Sequence, residues 1–140
     1  MEWNDAIVDP EKEKEQLEKA IEANPNDAEV HYKLAEVYEN INNDAKAVEY
    51  CEKAIALDPE KALYYAFLVF LTIRFDEQKA FDALARFIEL GQDEEDYYTE
   101  RVIDELGCFD NEFALKYIAN LKAQGKENVA YTMERWIWNP

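Results

Sequence analysis

Residues 28–61 read AEVHYKLAEVYENINNDAKAVEYCEKAIALDPEK, and part of this stretch is echoed one period upstream. Glu18-Lys19-Ala20-Ile21 and Pro25 recur unchanged as Glu52-Lys53-Ala54-Ile55 and Pro59, each 34 positions further on. That is the period of a helix-turn-helix solenoid, in which a helix pair buries its apolar faces by stacking on the next pair. Inside the unit the apolar and small residues fall on two stripes. Leu34, Tyr38 and the small Ala35 form one face of a first helix, and Ala47, Cys51 and Ala54 form the facing stripe of a second. Small side chains on both stripes let the two helices approach closely. Pro59 stands just past the second helix, where a residue without an N–H ends the ladder and begins the next unit.

Composition agrees with a stack of helices. A chain of 140 residues that is 49% hydrophobic is long enough for one domain with a continuous core and is not wholly disordered. With three Gly, four Pro and no Ser, the connections must be short and the elements mostly helical, so the expected class is all-α. The chain opens Met1-Glu2-Trp3-Asn4-Asp5, without the basic and apolar run of a secretory leader, and a cytoplasmic location is expected. The longest apolar run, Ala62 to Ile73, is interrupted only by Thr72 and ends at Arg74, well short of the ~20 residues that cross a bilayer. It reads as a buried helix, and no membrane partner is expected. Cys51 and Cys108 are too few and too far apart for a disulfide framework and read as reduced core thiols. A formal charge of −17 disfavours nucleic acid and anionic membranes as direct ligands, and favours basic partners.

Working outward, Asp9 is a helix N-cap, Pro10 the first helical residue, and Glu11 and Glu13 sit near the positive helix end of an element running to Ala23. This helix matches only the second half of a repeat. Its partner would lie before residue 1 or within Trp3-Ala6-Ile7-Val8, a segment placed to cover the open end. After the full repeat, Tyr65 and Leu68 follow the spacing of His31 and Leu34, but Ala80 arrives one residue early. A one-residue deletion in the turn near Phe75-Asp76 accounts for this, with helices over 62–74 and 77–90 and Gly91 as the C-terminal cap. Three further helices are expected at about 94–106, 110–123 and 127–138, separated by Gly107 and Gly125 and started by Asp110 and Glu127. Ala114, Ile118 and Leu121 repeat the spacing of Ala47, Cys51 and Ala54, so the first two could be a third, drifted pair or an unrelated extension. The last helix carries Val129, Met133 and Trp136, with Trp138 beyond, and would cap the stack.

The key positions of the unit, His31, Leu34, Ala35, Tyr38, Ala47, Cys51, Ala54 and Pro59, resemble the tetratricopeptide repeat at every spacing. His31 replaces the usual Trp, Ala35 the Gly and Cys51 the aromatic. The resemblance implies a short helix-turn-helix solenoid of about seven or eight helices with a C-terminal capping helix. It divides the single domain into a half repeat at 9–25, a full repeat at 28–61, a divergent pair at 62–91 and a helical extension or drifted repeat plus cap at 92–140. In that family the first helix of each pair lines a groove for a peptide. Carried onto this sequence, the groove positions are Glu29, Tyr32, Glu36, Glu39 and Asn40, then Leu63, Ala66, Phe70, Ile73 and Arg74. A true third pair would add Tyr97, Glu100 and Asp104. Three carboxylates and a tyrosine suit a segment rich in Lys or Arg, Tyr32 adding apolar or cation-π contact. Family members that grip the carboxylate tail of heat-shock chaperones use Lys, Asn and Arg where this chain has Tyr32, Glu36 and Asn40, so that ligand is disfavoured. The alternative for any of these residues is a solvated face of Glu and Asn, with Phe70 and Ile73 packed under neighbouring helices.

Catalysis finds little support. The one histidine, His31, occupies a repeat-core position, there is no serine, and neither cysteine has a basic neighbour to lower its pKa. No Gly-rich phosphate loop, calcium loop or zinc cluster is present, so no cofactor or metal is expected. The expected function is a non-catalytic adaptor binding a basic peptide or protein segment. The alternative is an acidic inhibitor or immunity-type protein that masks a basic, nucleic-acid-binding surface of a target. Residues 92–112 hold nine acidic residues against one basic, which suits that alternative, although Asp93-Glu94-Glu95-Asp96 also suits a solvated helix start. A homo-oligomer through Trp136 and Trp138 is compatible with either.

Overall fold

The computed structural model describes residues 9–91, 97–106 and 111–138, and among these it is all-helical. The helices are α1 (Pro10–Ala23), α2 (Ala28–Asn40), α3 (Asp44–Leu57), α4 (Ala62–Thr72), α5 (Glu77–Glu89), α6 (Tyr97–Glu105), α7 (Asn111–Ala123) and α8 (Glu127–Trp138). The chain divides into two compact units, Met1–Pro59 and Glu60–Pro140.

In the first unit, capping side chains set the helix starts, Asp9 as the sequence suggests and Asp27 and Asn43 in addition. Asp9 accepts the Glu11 N–H at 3.0 Å, Asp27 that of Val30 at 3.4 Å, and Asn43 that of Lys46 at 3.2 Å. Each satisfies a donor that the first helical turn leaves without a partner. The turn between α2 and α3 is three residues, and Asn42 adopts φ 62°, a left-handed conformation that asparagine tolerates better than most residues. Leu34, Ala35, Ala47, Cys51 and Ala54 are fully buried between these helices, which confirms both stripes. His31 is buried too; its Nε2 lies 2.9 Å from the Pro25 carbonyl and its ring stacks on Tyr50 at 6.0 Å. Helix α1 packs on α2 without burying any residue completely, reaching Tyr38 through Glu18, which accepts from the Tyr38 hydroxyl at 3.4 Å.

The second unit is built around α4, whose residues Ala62, Tyr64, Tyr65, Ala66, Leu68, Val69, Leu71 and Thr72 are all buried. Helix α4 packs on α5 and α6, and α8 packs on α7 and α5 as the capping helix. Starts of α2 and α3 are 16 residues apart and those of α4 and α5 are 15, so the pair is shorter by one, as Ala80 indicates. The missing residue comes out of the helix and not the turn: α4 has 11 residues against 13 in α2, and its turn is longer. Thr72 explains where α4 stops. Its hydroxyl donates back to the Leu68 carbonyl at 2.7 Å, its own carbonyl accepts from Phe75 and Asp76, and Asp76 then caps α5 by accepting from Lys79 N–H at 3.1 Å.

Val102 and Leu106 on the α6 segment, and Ala114, Ile118 and Leu121 on α7, are buried. In α8, Val129, Ala130, Met133 and Trp136 are buried, with Trp136 against Phe87 at 6.2 Å. Trp136 is thus part of the unit's own core, while Trp138 is 39% exposed. Gly91 and Gly125 have φ 72° and 82°, the left-handed conformation of a helix stop. Helix α6 is described from Tyr97, and residues 94–96 of the expected element lie outside the described residues. The acidic run 93–96, Gly107, Cys108 and Asp110 lie outside the described residues.

Candidate functional site

Residues Glu29, Tyr32, Glu36, Glu39 and Asn40 recur at intervals of three and four along α2, which places them on one strip of that helix. Glu29 is exposed and pairs with Lys33 at 3.4 Å, an ion pair in open solvent that contributes little to stability. Tyr32 is only 6% exposed, and its side chain influences the Glu36 carboxyl one turn on. Glu36 is half-buried. Burial pushes its carboxyl above the usual carboxylate range, Tyr32 and the Lys33 ammonium pull it back, and Glu13 and Glu39 push it up. Glu39 is half-buried and Asn40 exposed. The strip therefore holds a partly desolvated carboxylate with Glu13 and Glu39 as like charges and Lys33 as the opposite one.

Glu13 of α1 is a member of this cluster that the groove positions do not include. The signal was nonetheless present: Glu13 stands one period before Ala47, where the repeat places a small residue between helices.

In the second unit, Phe70 is half-buried on α4, with Phe67 stacked beside it at 6.1 Å. The Arg101 guanidinium of α6 lies over the Phe70 ring, 4.7 Å from its centroid. A cation over an aromatic face is attracted by the ring quadrupole, so α6 is tied to α4 at this point. Arg101 is also missing from the expected groove set, although it is the single base within the acidic segment 92–112. Glu100 and Asp104 are exposed one turn apart on α6, and Arg74 is exposed just past α4. Ala66 and Ile73 are buried and belong to the core. Tyr97 opens α6, and its side chain lies outside the described residues.

Cys51 is fully buried, and that burial, with Glu52 adding to it, pushes its thiol up to about 12. A thiol held protonated is a packing group and a poor nucleophile. Among the described residues no three His, Cys, Asp or Glu side chains are grouped to hold a metal ion, and no helix is long and apolar enough to cross a membrane.

The tetratricopeptide repeat family model matches residues 28–61, the α2–α3 pair with its flanking residues. No curated protein matches the chain. Among solved structures, the crystal structure of MamA, a tetratricopeptide-type protein, is similar with a TM-score of 0.56 and 26% sequence identity. The match covers 89% of this chain and spans 66% of the length of that one. Its period, its buried stripes and its fold agree: residues 28–61 form one regular tetratricopeptide-type repeat, and the chain is similar in fold to a tetratricopeptide-type protein.

Proposed function

We propose that this protein is a non-catalytic adaptor that binds a basic segment of another protein along the first helices of its pairs. The repeat and the fold support a protein-interaction role, and the basic preference rests chiefly on Glu36. A carboxylate that is partly desolvated and crowded by Glu13 and Glu39 gains more from an incoming Lys or Arg than a fully hydrated one does. Glu29, Glu39 and Asn40 provide polar contacts beside it, and Tyr32 adds aromatic surface one turn before it. In the second unit Phe70, with Arg74, Tyr97, Glu100 and Asp104, offers an aromatic surface edged by charge. Residues 92–124 act in this reading as a third, drifted pair, and residues 9–25 as a half repeat.

The test is fluorescence anisotropy with labelled peptides carrying alternating Lys and aromatic residues, beside versions with Lys replaced by Gln. Binding should need the lysines. The Glu36→Gln and Glu39→Gln variants together should weaken it by roughly tenfold, the scale of one or two charge-assisted hydrogen bonds. If these variants bind normally while neutralising Asp93, Glu94, Glu95 and Asp96 abolishes binding, the groove assignment fails and the acidic-inhibitor reading replaces it.

A further inference from the structure

Helices α5 and α7 lie side by side in the second unit and run in the same direction. Phe81 meets Phe113 and Tyr117 with ring centroids 5.3 Å apart, and the Tyr117 hydroxyl donates to Asp82 at 2.6 Å. One turn past the end of α7, Lys126 reaches Glu89 at 3.7 Å. These two bridges cross a cleft of about 310 Å³ between the helices, at the small end of the ~300–1,000 Å³ range of ligand pockets.

Arg86 lines the cleft between the two bridges, with Asn120 and Gln124 on the opposite wall. The neighbouring carboxylates on its own helix are both engaged elsewhere: Asp82 accepts from Tyr117 and, at 3.1 Å, from Gln78, and Glu89 pairs with Lys126. Among the described residues, no acidic group forms an ion pair with Arg86. The chain has 32 acidic residues against 15 basic ones, so a half-buried guanidinium left without a carboxylate is a feature to explain. Its place in the last turn of α5 is favoured by the helix dipole, but that accounts for the charge and not for the five N–H donors.

We propose that this cleft receives an acidic side chain, Asp or Glu, from a partner protein, with Arg86 holding the carboxylate and the Asn120 and Gln124 amides donating to it. Charge selects the occupant, since the cation is the group in the cleft that lacks its counterpart. Size agrees: a cleft of about 310 Å³ has room for an inserted side chain. The partner contact uses α5 and α7, so it does not depend on the α2, α4 and α6 residues of the proposed groove and can fail or hold independently.

Titration of the full chain with N-acetylglutamate α-amide, followed by amide NMR, tests the proposal. The Asn120 and Gln124 side-chain signals should shift and saturate in the millimolar range, as expected for one small ligand making a few hydrogen bonds. N-acetylglutamine α-amide should give no such shifts. Arg86→Gln should weaken the effect at least about tenfold, Asn120→Asp should abolish it, and Glu36→Gln should leave it unchanged. Both cleft variants must keep the far-UV spectrum and urea midpoint of the parent. Equal shifts with the glutamine probe or with inorganic phosphate, or shifts insensitive to Arg86→Gln, would overturn the proposal. So would binding confined to a free chain-terminal carboxylate, read with N-acetylglutamine.

Discussion

Glu36 shows how much a single residue draws from its surroundings. In an isolated α2 it would be an ordinary surface carboxylate; in the folded unit, burial and the approach of Glu13 make its charge costly. Because its folded-state pKa is raised, the neutral form is the one the fold favours. The stability it contributes is present below the ordinary value of 4.5 and is lost as pH rises through the raised one. Glu36→Gln should therefore raise the unfolding free energy read from urea titration at pH 7, by less than about 1 kcal/mol once solvent screening is allowed for. The gain should vanish when the same comparison is made below pH 4.5, and a variant less stable at pH 7 would contradict it. The substitution that weakens binding of a basic peptide is thus expected to strengthen the fold. Cys51 gives the complementary case. With Cys108→Ser in the background, a disulfide reagent at pH 8 should label Cys51 only as fast as the protein opens, since its thiol is pushed up to about 12. Cys51 was legible in the sequence because its stripe repeats; the burial of Tyr32 and the placing of Arg101 over Phe70 were not, because each depends on which helices come together.

Individual helices begin where their capping residues say they should. Asp9, Asp27, Asn43 and Asp76 each accept a backbone N–H of the first turn, but Lys61, at the start of α4, has no side chain able to do so. Asp76→Ala should cost ~1 kcal/mol in urea unfolding, the usual loss for a cap. Lys61→Asp should gain ~0.5–1 kcal/mol by supplying the missing acceptor and a negative charge near the positive helix end. Failure of both, measured in the same assay, would mean that tertiary packing and not capping sets these helix ends. The α4–α5 pair also shows the limit of counting. A spacing reduced by one was readable from Ala80, yet the sequence offers no count that distinguishes a shortened turn from a shortened helix. Thr72, buried and bonded back to Leu68, made that choice through the tertiary environment of α4.

For the molecule as a whole, the two compact units differ in what they bury. Fully buried side chains in the first are mostly small, Ala35, Ala47, Cys51 and Ala54 with Leu34, whereas the second buries Phe81, Phe87, Leu84 and Met133. Apolar area removed from water scales with side-chain size, at ~25 cal/mol per Å², so the second unit has the larger driving force. Trp136 and Trp138 report on that unit. In a Trp3→Phe background, tryptophan fluorescence should therefore show a higher urea midpoint than far-UV circular dichroism, which averages over both units. Coincident curves would show that the units unfold together. The sequence by itself determined the class, the repeat and most helix starts, because periodicity and capping are local properties that act within a helix or between adjacent ones. Only the tertiary structure decided the electrostatics of Glu36, the cation over Phe70 and the unpartnered Arg86 between α5 and α7. Each of these comes from residues brought together across helices, where burial and neighbouring charge, and not spacing along the chain, set what a side chain can do.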